Sequence, residues 1–440
     1  MREDLLAAIC AAPFDDAPRQ VYADALIEAG EPLGEWIAMD LAKARGPLDA
    51  NAQARFDELA RMLDLATRSH GVSRYGFVEL ARGFPHALHA GGNVRSVVDV
   101  PAFATVERLL DLRGCSDATV LAVLDHPSAA NLREVSTIRT SIVERACTTR
   151  RAWTALDLYA KLLDPLPPRA IYAQMPDLER LRIQLEGPRE APLAIAGPRE
   201  SRSGSDRRID TLDLPESLDS LDLWFERGGI ETLALPHLRE LVFGLESWIA
   251  LPRITVAAPI DTVDLMYVPQ ISVAQLAVFT GVRKLTLGID RYDASTFAAL
   301  TSLESLRLHA GAVALDAFAR LANLRVLEVR GTIDRRMSLP PLRELSAWYP
   351  PSPDDVSALV RRLPRLEQLS LDAEHRDAAD VEPSHVATWM PAIAASSIRR
   401  FALTYSDTGY ELVLERGDDG RLAITKGRGD AIGDAIAAAL

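Results

Sequence analysis

Between residues 260 and 330 one phrase returns four times, its middle apolar residue 21 or 22 positions after the last. It reads Ile260-x-x-Val263-x-Leu265, Val282-x-x-Leu285-x-Leu287, Leu303-x-x-Leu306-x-Leu308 and Leu324-x-x-Leu327-x-Val329. Apolar residues two apart belong to a strand with one buried face, and a fixed period of this size leaves room for that strand plus a return segment. No such unit buries its apolar side alone, so the units must stack, strand beside strand, around one elongated core. At 440 residues the chain suits such an array better than a single globular core.

These residues carry a resemblance to leucine-rich repeats. The expected fold is an α/β solenoid, a leucine-rich-repeat-like curved parallel sheet with an N-terminal helical module and a C-terminal hairpin and helix cap. Earlier units centre on Leu110, Val135, Leu156 and Leu181, and later, less even ones on Leu345, Leu369 and Phe401. Residues 186–208, which hold Gly-Pro-Arg-Glu twice and a Ser/Gly run, break the rhythm and read as a mobile insertion. Leu212, Leu221, Leu233 and Leu241 then follow at gaps of 9, 12 and 8 residues. That is too close for four full repeats, so some of these strands must leave the main sheet or form tight arcs; the spacing does not say which. The usual repeat asparagine is replaced by Val268, Asp290, Gly311 and Thr332, so a standard buried amide ladder is not expected.

Residues 2–12 place Leu5, Leu6 and Ile9 on one helical face. A second helix opens with Asp16 as N-cap and Pro18 in its first turn, and closes at Gly30; a third runs from Pro32 to Gly46-Pro47. A fourth spans 51–69 with Phe56, Leu59, Met62, Leu63 and Leu65 as its stripe. The run Asp15 to Leu41 resembles the bacterial repeat-companion domain at Asp16 to Asp24, Leu26, Gly30, Pro32, Gly34, Glu35 and Ile37, and departs from it at Ala25, Glu31 and Trp36. Arg82-Gly83-Phe84-Pro85 is similar to that family's junction into its first strand. The resemblance implies repeats downstream and no chemistry. Arg19, Tyr22 and Asp24 are read as an internal network, with Asp24 pairing Arg19 or capping backbone.

The expected domains are a helical repeat-companion module at 1–70, the repeat array at 71–403, and a cap at 404–440. The cap comprises a hairpin of Tyr410–Leu414 and Leu422–Thr425 and a short helix from Ala431 to Leu440.

If the apolar positions of each strand point inward, the residues between and after them line the concave face. Asp213, Asp222 and Asp264 (with Asp157) occupy that position in earlier strands, and Arg307 among later ones; Lys284 and Arg330 flank it. Trp224, Met266, Tyr267, His309 and Trp348 fall at strand exits on the same side. The face is thus expected to be acidic first and more basic later, with aromatics beside charges, the composition of interaction hot spots. The plain alternative is that the tryptophans fold over neighbouring turns and the charges are solvated.

Nothing in the sequence makes a comparable case for catalysis. His86-x-x-His89 lacks a nearby third ligand, His375-Arg376-Asp377 lacks the asparagine of a kinase catalytic loop, and Arg428-Gly429-Asp430 matters only in extracellular settings. There is no nucleophile elbow, Walker loop, dinucleotide fingerprint or metalloprotease helix. No catalytic residue, cofactor or metal is assigned. A net charge of −13 argues against nucleic acid as a ligand. Cys10, Cys115 and Cys147 are too scattered for a disulfide framework. Without a secretory pattern or a membrane-spanning run, a cytoplasmic location is expected. The expected function is a non-enzymatic scaffold that binds a partner protein or extended peptide. The alternatives are an immunity-like inhibitor that masks a basic enzyme or toxin, and an adaptor or recognition subunit for an enzyme.

Overall fold

The computed structural model describes residues 2–91, 94–161, 166–186, 208–212, 214–225, 229–235, 237–245, 251–291, 297–309, 315–330, 339–348, 353–372, 383–405 and 410–426. The 187–207 segment and the expected helix at 431–440 lie outside these residues, as do the His375 and Arg428 motifs. The chain divides into two compact units, Met1–Pro198 with Asp213–Leu221 and Arg199–Leu212 with Asp222–Leu440.

The first unit begins with four helices, α1 (Arg2–Ala11), α2 (Asp16–Glu28), α3 (Pro32–Arg45) and α4 (Ala50–Met62). Asp15, not Asp16, caps α2, its side chain accepting from Ala17 N at 2.9 Å. Both acids suit the role by type, and the extended backbone at Asp15 decides it. Asp16 instead lies in the first turn, 3.8 Å from Arg19 and 3.6 Å from Arg82. Arg19 therefore pairs with Asp16, while exposed Asp24 accepts from Gln20. The expected fourth helix stops at Met62 because Asp64 caps a new short turn, accepting from Thr67 N. Met62 leaves the apolar stripe and is 58% exposed. Ile9, Tyr22, Leu26, Trp36, Ile37, Phe56 and Leu59 close the helical core together with Phe84.

Phe84 belongs to a hairpin of β1 (Gly76–Ala81) and β2 (Phe84–Ala90), so the helices share their core with the first strands. Parallel strands follow: β3 (Arg108–Leu110), β4 (Glu134–Arg139), β5 (Ala155–Lys161) and β6 (Arg180–Glu186). Their inward rung runs Leu88, Leu109, Val135, Leu156, Leu181. The unit centred by spacing on Leu110 is thus centred on Leu109, while Leu110 sits opposite His89. Two adjacent leucines make a one-residue slip invisible to a spacing argument.

In the second unit, β7 (Arg208–Thr211), β9 (Gly229–Leu235) and β11 (Arg253–Val256) form their own parallel sheet. The strands between them, β8 (Ser220–Phe225, within which the units meet in sequence) and β10 (Glu240–Leu245), pair with each other instead. The crowding of apolar phrases between 209 and 243 is thereby explained: alternate strands go to alternate sheets. Phe225 and Phe243 pack at 5.4 Å between ring centroids.

From β10 the stack is regular through β12 (Thr262–Gln270), β13 (Lys284–Arg291), β14 (Ser305–His309), β15 (Val326–Arg330), β16 (Glu344–Trp348), β17 (Gln368–Asp372) and β18 (Arg400–Tyr405). One rung joins Leu241, Val263, Leu285, Leu306, Leu327, Leu345, Leu369 and Phe401; the next joins Phe243, Leu265, Leu287, Leu308, Val329, Ala347, Leu371 and Leu403. All are buried, and each leucine-sized side chain so buried contributes about 1.5–3 kcal/mol. The fold is leucine-rich-repeat-like, as the period implies. The sheet ends in the expected hairpin, β19 (Tyr410–Arg416) and β20 (Leu422–Lys426), with β19 antiparallel to β18.

A column of charge that the spacing argument overlooked runs along the strand starts. Arg283, Glu304, Arg325, Arg343, Glu367 and Arg399 each precede a strand and donate a backbone N–H to the corresponding residue of the unit before, at 2.7–2.9 Å. Side chains add to the ladder at Arg283 with Glu304 (2.9 Å) and Arg343 with Glu367 (3.7 Å). Its signal is the charged residue after the first apolar position of each phrase.

Candidate functional site

Strand alternation in the second unit turns one set of residues away from the core. Reading across the sheet, successive neighbours in one row are Val242, Asp264, Thr286, Arg307, Glu328, Ser346 and Ser370. The row at the strand starts is Glu240, Thr262, Lys284, Ser305, Val326, Glu344, Gln368 and Arg400. On β8 the same alternation buries Leu223 and leaves Asp222 and Trp224 partly exposed.

At the strand exits the geometry depends on two glycines. The Trp224 ring lies over Gly244, where an added Cβ would come within 2.4 Å of ring atom Cε3. Gly244 pairs in turn with Met266. Immediately after Met266, β12 carries an extra residue relative to β13, and Tyr267 takes it up in left-handed backbone (φ 60°). Facing that bulge is Gly288, where a Cβ would meet Tyr267 N at 2.9 Å. The bulge turns Val268 back into the core and leaves Tyr267 61% exposed. Trp224, Gly244, Met266 and Tyr267 are thus contiguous on the sheet. Gly288 pairs with His309, and His309 with Arg330, Trp348 and Asp372 in sequence along the sheet.

Asp264 sits one pleat before Met266, half-buried, and its Oδ1 has no hydrogen-bond partner among the described residues. Burial pushes its carboxyl up to about 6; Arg307 opposes that shift, while the like charges of Asp222 and Glu240 add to it. The Arg307 guanidinium is engaged elsewhere, donating from Nε to Glu328 Oε2 at 2.6 Å. Lys284 stands exposed on the next strand. Asp213 and the side chains of Arg330 and Trp348 lie outside the described residues, and β7, the strand preceding Asp213, belongs to the smaller sheet. Glu240, Gly244, Gly288 and Asp372 also belong to this face and were not singled out by sequence. The glycines in particular give no signal of their own, because what they accommodate comes from other strands.

The first unit carries a separate polar cluster. His89 on β2 is held between Asp111 (Nδ1 to Oδ2, 2.6 Å) and Glu79 (Nε2 to Oε1, 2.9 Å), and Arg108 bridges Glu79 and Glu134. Hydrogen bonding to Glu79, then to Asp111, raises the His89 pKa. His86 faces Glu107 at 3.4 Å, so the two histidines of the His-x-x-His pair serve different carboxylates. Among the described residues no group of His, Cys, Asp and Glu is arranged to hold a metal ion, and no helix is long and apolar enough to cross a membrane.

No family model matches the chain, and no curated protein matches it either. The similarity of Asp15–Leu41 to the repeat-companion domain therefore remains one of motif. Solved structures of low identity are similar. The leucine-rich repeat domain of APL1B is 13% identical over 65% of this chain and 81% of its own, with a TM-score of 0.35. TLR13, in its complex with ssRNA13, is 14% identical over 73% of this chain and 54% of its own, with a TM-score of 0.34. An internalin from Listeria monocytogenes is 12% identical over 78% of this chain and 92% of its own, with a TM-score of 0.25.

Proposed function

We propose that this chain is a non-enzymatic interaction scaffold that binds a partner protein or an extended peptide across the outward face of its repeat sheet. The observation that carries the reading is the Trp224, Met266 and Tyr267 surface. Large apolar side chains held at the water boundary by a bulge and two glycines lose little freedom on binding and supply contact area where hot spots concentrate. In-register rows of polar residues on either side suit a ligand that runs across several strands.

Protein is favoured over nucleic acid because the chain is acidic, with a net charge of −13. The three cysteines are free, which suits a reducing compartment such as the cytoplasm. The resemblance at Asp15–Leu41 adds a bacterial origin and a helical module that closes the start of the array. An immunity-like inhibitor of a basic protein is a special case of this reading, and Asp264 is the residue that favours it.

Affinity capture from the native host with wild type and with a Trp224→Ala, Tyr267→Ala double variant tests the assignment. The expected result is at least one protein recovered by wild type and lost with the double variant at unchanged melting temperature. Identical recovery with both removes this face as the contact surface.

A further inference from the structure

We propose that the partner contributes a basic, extended segment, one of whose arginine or lysine side chains is received by Asp264 beside Trp224 and Tyr267. This rests on the interaction reading above and adds the chemistry of the occupant.

Three observations on the sheet face converge on a cation. Asp264 is half-buried with one carboxylate oxygen off any described donor, an arrangement that costs free energy until a donor arrives. Among the described residues, Asp222 from β8 and Glu240 from β10 act on it with its own sign; of the cations, Arg307 from β14 has its guanidinium bonded to Glu328, and Lys284 stands exposed at the start of β13. Thr286, its neighbour on β13, brings no charge. A guanidinium or ammonium placed there would relieve the repulsion and supply the missing donor, whereas an acidic or neutral segment would do neither. The adjoining aromatics favour the same class of ligand, because a cation is attracted to the faces of tryptophan and tyrosine.

The extended form follows from the rows themselves. Polar side chains recur from strand to strand at about 4.8 Å and an extended segment advances about 3.3 Å per residue, so a segment crossing the strands meets a new row member about every one to two residues. Such binding is linked to protons. Asp264 must be ionised to receive the cation, and its carboxyl takes up a proton at about 6, so affinity falls as pH drops through that value.

The test uses the full chain and a labelled peptide of Arg-Ser-Val-Ser repeats, with Gln-for-Arg and Glu-for-Arg counterparts of equal length, read by fluorescence anisotropy. At about pH 7.5 the arginine peptide is expected to bind at least about tenfold more tightly than either counterpart. Asp264→Asn, isosteric and uncharged, is expected to remove about that factor, and so is lowering the pH of wild type to about 5. Asp418→Asn, in the exposed turn between β19 and β20, changes net charge equally and is expected to leave binding unaltered. Equal binding of the arginine and glutamine peptides, no binding of the arginine peptide, or equal losses from the two Asp→Asn variants would overturn the proposal. If host partners are lost with the Trp224→Ala, Tyr267→Ala variant but retained by Asp264→Asn, the interaction reading survives and this inference fails.

Discussion

Asp40, on α3, accepts a 2.7 Å hydrogen bond through Oδ2 from the backbone N–H of Gly83, in the turn between β1 and β2. That contact helps tie the helical module to the first hairpin, alongside the Arg82–Asp16 pair, the packing of Gly83 against Ile37 of the same helix and the seating of Phe84 in the helical core. Burial raises the Asp40 pKa even though the Gly83 bond works the other way. Asp40→Ala leaves the Gly83 N–H without its acceptor and is expected to cost about 1–3 kcal/mol. Asp40→Asn keeps an acceptor oxygen while removing the penalty on a buried charge, and is expected to stay within about 1 kcal/mol of wild type. Urea unfolding of both variants checks this, and equal losses would mean that the charge, not the acceptor, matters.

Two histidines in the same unit titrate in opposite directions. His89, raised by Glu79 and Asp111, binds its proton more tightly folded than unfolded. Its contribution is therefore fully present below the unfolded value near 6.5 and is lost as pH rises through the folded value. His70 stacks on Phe84 at 4.6 Å, and burial, then the charge of Arg2, lowers its pKa to about 4. Its contribution is present above about 6.5 and lost as pH falls towards 4. NMR titration should find His89 charged at pH 6.5 and His70 neutral at pH 5, and His89→Gln should flatten the decline in melting temperature above neutrality.

Gly244→Ala forces a Cβ against the Trp224 ring. With 2.4 Å available, the ring must move, at an expected cost of roughly 1–3 kcal/mol. Solvent quenching of tryptophan fluorescence should rise with it. An unchanged emission spectrum and stability would show that the ring does not rest on Gly244.

Adjacent residues on β14 should differ sharply. Leu306 lies on the buried rung and Arg307 on the outward row, paired with Glu328. Leu306→Ala is expected to cost about 2–5 kcal/mol, and Arg307→Ala less than about 1 kcal/mol, because an exposed ion pair is offset by solvation and side-chain entropy. Denaturant midpoints of the two variants decide it, and comparable losses would contradict the inward and outward assignment.

The rungs at Leu285, Leu306 and Leu327 could be read directly because their period is local and their neighbours are polar. Leu109 could not, because Leu110 follows it and either satisfies the pattern. Asp15 and Asp16 pose the same difficulty at the N-cap. Between 209 and 243 the apolar phrases were legible but their sheet was not, since β7 and β8 carry similar alternation and separate only through their partners. Of the candidate site, the outward positions of Trp224, Asp264 and Met266 were legible from alternation, whereas the exposure of Tyr267 depends on a bulge that alternation does not announce.

The linear order of residues determined that strands of period 21 or 22 would stack with leucines inward and polar residues outward, because alternation and spacing are properties of the chain itself. Tertiary structure decided which acid is crowded, which aromatic is seated and which strand changes sheet. Asp264 acquires its raised carboxyl pKa first from burial under the packed sheet and then from Asp222 and Glu240, and Trp224 takes its place from Gly244, neighbours that all lie on other strands. Desolvation and close packing depend on neighbours in space, and those neighbours exist only once the rungs are in register.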